Sequence, residues 1–195
     1  MSHRLGGQPE TEMSTPELAS DKKGLTIFLV GFMGAGKSSV GLALSHRLGW
    51  PFEDLDDRIE ARERRSIEEI FRQSGEPEFR KLEHAALHAL LEDLGHSSKV
   101  VALGGGAFAQ AQNAVLLDRS GFPVIFLDAP VEELFRRCQE QQLNRPLRRD
   151  MEEFRRLYED RRPCYLKAAV RIETGGKDVD TVAVEVIENL KLRSL

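Results

Sequence analysis

A chain of 195 residues is long enough to bury one substantial core and short enough that a single domain is expected. Its 41% apolar and 31% charged content excludes a wholly disordered or membrane-embedded class, and a formal net charge of −4 argues against broad nucleic-acid binding. The two cysteines, Cys138 and Cys164, are far apart and suit a reducing compartment rather than a disulfide framework or a thiolate metal site. No apolar run reaches membrane-spanning length, so neither a membrane nor a nucleic-acid partner is expected, and the cytoplasm is the expected location.

Residues 1–24 carry Gly, Pro, Ser, Thr and Glu without a hydrophobic segment, and read as a disordered tail rather than a secretory signal. The ordered domain is expected over residues 25–195. Leu25–Val30 is apolar and β-rich and reads as a strand. It runs straight into Gly31-Phe32-Met33-Gly34-Ala35-Gly36-Lys37-Ser38, which fits the phosphate-loop pattern G-x-x-x-x-G-K-[ST] in the strand-then-helix context that pattern requires. Glycines let backbone N–H groups turn toward phosphate oxygens, and the helix that follows points its N-terminus at them. Gly34, Ala35, Gly36, Lys37, Ser38 and Ser39 are therefore expected to bind a nucleoside triphosphate, with Lys37 on the β- and γ-phosphates and the Ser38 hydroxyl toward Mg²⁺.

The spacing of Val40, Ala43, Leu44 and Leu48 predicts a helix over Lys37–Leu48, stopped at Gly49. A short strand at Pro51–Leu55 and a helix at Asp57–Arg65 follow. Ser66-Ile67-Glu68-Glu69 is a capping box that opens another short helix ending at Gly75. Glu78–Leu94 reads as a longer helix with Phe79, Leu82, Ala86 and Leu90 on one stripe. Lys99–Leu103 is a strand leading into Gly104-Gly105-Gly106. Ala114–Asp118 is helical, Phe122–Leu127 a buried strand, and Val131–Gln141 a helix begun near Pro130. Gln142–Asp150 is polar and arginine-rich, an exposed loop. Glu152–Leu166 is helical with an interruption at Pro163, Val170–Glu173 is a last strand, and Val182, Val186 and Leu190 stripe the final helix. Strands alternating with helices predict an α/β fold of three layers, α/β/α, around a mostly parallel five-stranded sheet. Ligands in such sheets bind beyond the carboxyl ends of the strands.

Four stretches beyond the phosphate loop bear on chemistry. Asp54-Leu55-Asp56 puts two carboxylates one residue apart on an extended strand end, pointing to opposite sides. In Phe79-Arg80-Lys81-Leu82-Glu83, Arg80 lies off the apolar stripe and Glu83 is one turn on, able to hold its guanidinium. Gly104, Gly105 and Gly106 clear side chains from a strand end where a ligand can approach backbone. Asn144-Arg145-Pro146-Leu147 and Arg161-Arg162-Pro163-Cys164-Tyr165 supply arginines. Two further features read as structural. Val124–Asp128 looks like a Walker B strand, which would put Asp128 on Mg²⁺, and a cap on the helix near Pro130 is the reading preferred over that one. His84 and His88 are four apart without the Glu of H-E-x-x-H, and read as helix-surface residues.

Together these motifs resemble the shikimate kinases, small P-loop kinases related in fold to nucleoside monophosphate kinases. The resemblance extends from about Leu25 to the C-terminus and matches the family's D-x-D, F-R-x-x-E, triple glycine, R-P-L and R-x-P-x-Y. Leu103 stands where the family often has Thr. The resemblance implies a P-loop kinase fold with a mobile lid over about 142–150, and a monomer. It implies transfer of the γ-phosphoryl group of ATP to the 3-hydroxyl of shikimate, a step of chorismate and aromatic amino acid biosynthesis, with Mg²⁺ as cofactor. Lys37, Asp56 and Arg145 are then the catalytic residues. Arg145 also reaches the ATP phosphates, and Ser38 and Asp54 serve the metal. Asp56, Arg80, Gly104, Gly105, Gly106 and Arg161 bind shikimate. Arg162 is left solvent-facing or as a back-up, Arg148 and Arg149 extend the lid charge without an assigned role, and adenine is expected near Thr174–Asp178. On the residues alone, a kinase of another small metabolite such as gluconate, and a catalytically silent nucleotide-binding switch, stay open as alternatives.

Overall fold

The computed structural model describes residues 24–140 and 150–192. The tail, the 142–149 part of the lid, and with it Arg145, Arg148 and Arg149, lie outside the described residues. Five strands, β1 (Thr26–Val30), β2 (Phe52–Asp54), β3 (Lys99–Ala102), β4 (Val124–Asp128) and β5 (Val170–Glu173), form one sheet in the order β2-β3-β1-β4-β5. Every pairing is parallel. The central strand β1 and its neighbour β4 are buried at every residue, so helices cover both faces and the three-layer expectation holds. This is why those strands read as unbroken apolar runs rather than alternating ones.

Seven helices occur among the described residues: α1 (Lys37–Leu48), α2 (Leu55–Glu63), α3 (Ile67–Glu92), α4 (Ala111–Ser120), α5 (Val131–Glu140), α6 (Met151–Tyr165) and α7 (Val179–Asn189). None is long and apolar enough to cross a membrane. The core joins Ile27, Phe28 and Leu29 of β1 to Ile125 and Phe126 of β4, Leu44 of α1 and Val186 of α7.

Two elements, α2 and α6, differ from the sequence-based expectation, and α3 meets it. β2 ends at Asp54 and α2 begins at Leu55, so Asp56 sits in a first helical turn and not on an extended end. The cause is local: the Asp54 carboxylate accepts the Asp56 backbone N–H at 3.0 Å and caps the helix. α3 is two helices in one span. Its first half opens on the expected Ser66–Glu69 capping box, and Gly75 breaks it at φ 78° and ψ 173° just before Pro77 restarts it. α6 is not interrupted by Pro163. That proline lies in the last turn, where the lost N–H would have served only one more helical bond.

Candidate active site

The site is assembled where β1 and β3 end. Gly36 is the N-cap of α1 in the left-handed region, φ 87°, and supplies no side chain to cap the turn. The first turn of α1 also has no acidic residue. Its leading N–H groups are thus left for an anion, which the helix field favours. Ala35 is 1% exposed, so this residue offers backbone rather than side chain, and Ser39 stands exposed on the first turn. The Lys37 ammonium is folded back over the loop, donating to the carbonyls of Gly31 at 3.0 Å and Phe32 at 3.1 Å.

The Ser38 hydroxyl donates to Asp54 Oδ2 at 2.8 Å, joining the loop to the start of α2. A hydroxyl and a carboxylate side by side are hard oxygen ligands of the kind Mg²⁺ accepts. Among the described residues no group of three or more His, Cys, Asp or Glu could hold an ion alone. The donor set therefore fits a metal shared with phosphate oxygens and water.

Each of the three glycines after β3 meets a different functional group. A Cβ on Gly104 would lie 2.7 Å from both Asp56 Oδ1 and Glu83 Oε1, so two carboxylates converge where this side chain is missing. A Cβ on Gly106 would lie 2.6 Å from both terminal nitrogens of Arg80. The Gly105 carbonyl accepts from Arg161 Nη1 at 3.5 Å and from the Tyr165 hydroxyl. The place of a Gly105 Cβ is 3.6 Å from the Met33 backbone nitrogen, so this turn also abuts the phosphate loop. Asp56, Arg80 and Arg161 are brought together around one glycine turn, as the sequence led us to expect.

Arg80 is held on several sides. Nη1 donates to Glu83 Oε2 at 2.7 Å, Nε and Nη2 donate to Glu76 Oε1 at 3.1 and 2.8 Å, and the guanidinium lies over the Phe79 ring at 5.2 Å. Glu83 is fully buried, and Oε1 has no hydrogen-bond partner among the described residues. Burial pushes the Glu83 carboxyl up from its ordinary value against the pull of Arg80 and Arg161, and the nearby Asp56 charge adds to the rise.

Several assignments are corrected. Asp128 does not serve as a helix cap. Its carboxylate is 2% exposed and accepts from Tyr158, Arg162 and Arg171. Arg162, its side chain 34% exposed, does not stand free in solvent but ties the Tyr158 hydroxyl to Asp128. His88 is exposed and pairs with Glu92, but His84 Nδ1 meets Asn113 Oδ1 at 2.7 Å, and Asn113 donates to the Ala107 carbonyl at 3.0 Å. His84 thus supports the segment that follows the glycines. Two residues went unnoticed in the sequence. Gln110 Nε2 donates to Glu83 Oε2 at 2.6 Å, and Arg137 donates to the carbonyls of Thr174 at 2.8 Å and Gly34 at 3.5 Å. No motif marks either one. Only the helical stripe of α5, with Leu134 and Cys138 inward, places Arg137 beside the core.

A family model described as shikimate kinase matches residues 33–191. The chain belongs to the shikimate kinase family. Among its relatives, a shikimate kinase of Persephonella marina is 38% identical over 85% of this chain and 98% of its own. One from Caulobacter vibrioides is 45% identical over 83% of this chain and 80% of its own. Among solved structures, the shikimate kinase of Acinetobacter baumannii in complex with shikimate superposes with a TM-score of 0.79 at 34% identity, covering 87% of this chain and 94% of that one. The family's span takes in the glycine turn and both arginines around it.

Proposed function

We propose that the protein transfers the γ-phosphoryl group of ATP to the 3-hydroxyl of shikimate, giving shikimate 3-phosphate and ADP. The observation that carries this reading is the glycine turn. It gathers two carboxylates, Asp56 and Glu83, and two arginines, Arg80 and Arg161, against the phosphate loop, which suits a carboxylated polyol beside a triphosphate.

Phosphoryl transfer asks little covalent work of a protein, so positioning and charge carry the catalysis. The Gly34–Ser39 backbone holds the phosphates, and the Lys37 ammonium offsets charge on the migrating group. Ser38, and Asp54 through water, would hold Mg²⁺, which would supply charge neutralisation to the triphosphate when bound. Arg80 and Arg161 grip the shikimate carboxylate and fix the ring. Glu83, steadied by Gln110, keeps the Arg80 fork in place. Asp56 orients the 3-hydroxyl and accepts its proton.

Release of ADP from Mg-ATP is the direct test, with shikimate, gluconate, AMP or no acceptor. Release with shikimate alone supports the reading. Turnover with another acceptor would keep the kinase and discard the substrate. Arg80→Ala is expected to raise the shikimate KM by roughly tenfold or more while moving the ATP KM by less than about twofold. Equal rises would make Arg80 a structural residue. Gly104→Ala places a methyl 2.7 Å from Asp56 and Glu83, and is expected to cost roughly a hundredfold in kcat/KM for shikimate. Unchanged kinetics in that variant would mean that the converging carboxylates are not where shikimate sits.

A further inference from the structure

Asp128 ends an apolar strand next to the phosphate loop, where many nucleotide-binding proteins keep a carboxylate that serves the metal. Here the carboxylate is spent elsewhere. The Tyr158 hydroxyl donates to Oδ1 at 2.9 Å, and Arg162 Nη2 and Arg171 Nε donate to Oδ2 at 3.1 and 3.0 Å. Arg162 Nε also donates to the Tyr158 hydroxyl at 2.9 Å, closing a triangle of side chains. Donors on both oxygens satisfy a carboxylate that is 2% exposed.

The triangle ties α6 to the nucleotide side of the molecule at one point, and a ring contact ties it at a second. Phe32 belongs to the phosphate loop and is 1% exposed. The Tyr158 ring meets it edge-on at 5.5 Å, and the Arg161 guanidinium carbon lies 6.0 Å from the same ring. Arg161 also touches the Gly105 carbonyl. Adjacent helical residues diverge by about 100°, so Arg161 and Arg162 cannot share a ligand. One faces the glycine turn, and the other faces Asp128. Pro163 follows at once and removes one backbone donor, while the Leu166 N–H still closes the last turn on the Arg162 carbonyl at 3.1 Å.

We propose that Asp128, Tyr158 and Arg162 form a lock that fixes the rotation and height of α6, and so sets the distance between the Arg161 guanidinium and the phosphate loop. Arg162 is then a positioning residue that acts through Arg161. The lock rests on reading Arg161 as a grip on the shikimate carboxylate. Its effect is to hold acceptor and donor at the spacing that in-line transfer requires.

A kinetic double-mutant cycle on the full chain tests this. Arg162→Ala is expected to raise the shikimate KM by roughly five- to tenfold, with the ATP KM changed by less than about twofold. In an Arg161→Ala background the same substitution is expected to change the shikimate KM by less than about twofold, because nothing is left to position. Tyr158→Phe keeps the ring on Phe32 and removes one donor. It should show the same pattern at smaller size, and it serves if Arg162→Ala does not fold. Equal rises in both KM values, no rise, or the same rise in both backgrounds would overturn the lock. If Arg161→Ala alone leaves the shikimate KM unchanged, the grip itself is wrong and the lock falls with it. If Arg161→Ala raises it and neither Arg162→Ala nor Tyr158→Phe does, only the lock fails.

Discussion

Lys37→Ala is expected to lower turnover by roughly a hundredfold or more, the cost of losing a charge contact made to the migrating phosphoryl group. The fold should persist. Two of the ammonium's contacts are the carbonyls of Gly31 and Phe32 in its own loop, and part-buried hydrogen bonds of that kind are worth about 1 kcal/mol each. The loss should fall on kcat more than on the ATP KM, because the loop backbone and the α1 N-terminus still hold the phosphates. Steady-state kinetics beside a thermal melt decide the matter. Near-normal turnover would remove Lys37 from the chemistry, and a collapsed melt would make it a structural residue.

Asp56→Asn should act in two directions at once. Asparagine keeps the shape and loses the basic oxygen, so kcat is expected to fall by roughly a hundredfold to ten-thousandfold. The same change removes one of two negative charges that converge above Gly104. Burial and the Asp56 charge both hold the Glu83 carboxyl above its ordinary value, so neutralising Asp56 lowers the cost of ionising Glu83 beside Arg80. The melting temperature is therefore expected to rise, by about 2–4 °C if the relief is near 1 kcal/mol. A less active and more stable variant is the signature of a carboxylate kept for function. Activity within about threefold of the parent, or a lower melting temperature, would contradict that role.

Local features of this fold were legible because local patterns dictate them. The phosphate loop, the bounds of α1 and the Ser66–Glu69 capping box each depend on residues within a few positions of one another. The parallel sheet followed from alternating strands and helices. What stayed hidden depends on distant partners. Glu83 reads as half of an ordinary surface pair three residues from Arg80, and only α4, bringing Gln110, and the start of α2, bringing Asp56, make it a buried group. Arg161 and Arg162 are indistinguishable by type. Their different duties come from which side of α6 meets Asp128. Asp128 itself looked like a cap because its sequence neighbours suggest one, whereas its partners come from α6 and β5. Asp56 was placed on an extended end because a side-chain cap by Asp54 leaves no mark in hydrophobic periodicity.

The central position of β1 also has a consequence for biosynthesis. Among the described strands β1 is the first to leave the ribosome, yet its register partners come much later, Thr26 against Lys99 and Phe28 against Val124. Until translation has passed Asp128, this apolar strand has no complete pair of neighbours and the loop after it has no floor. A nascent chain stalled before that point would present two open strand edges, a template for association and a target for chaperones.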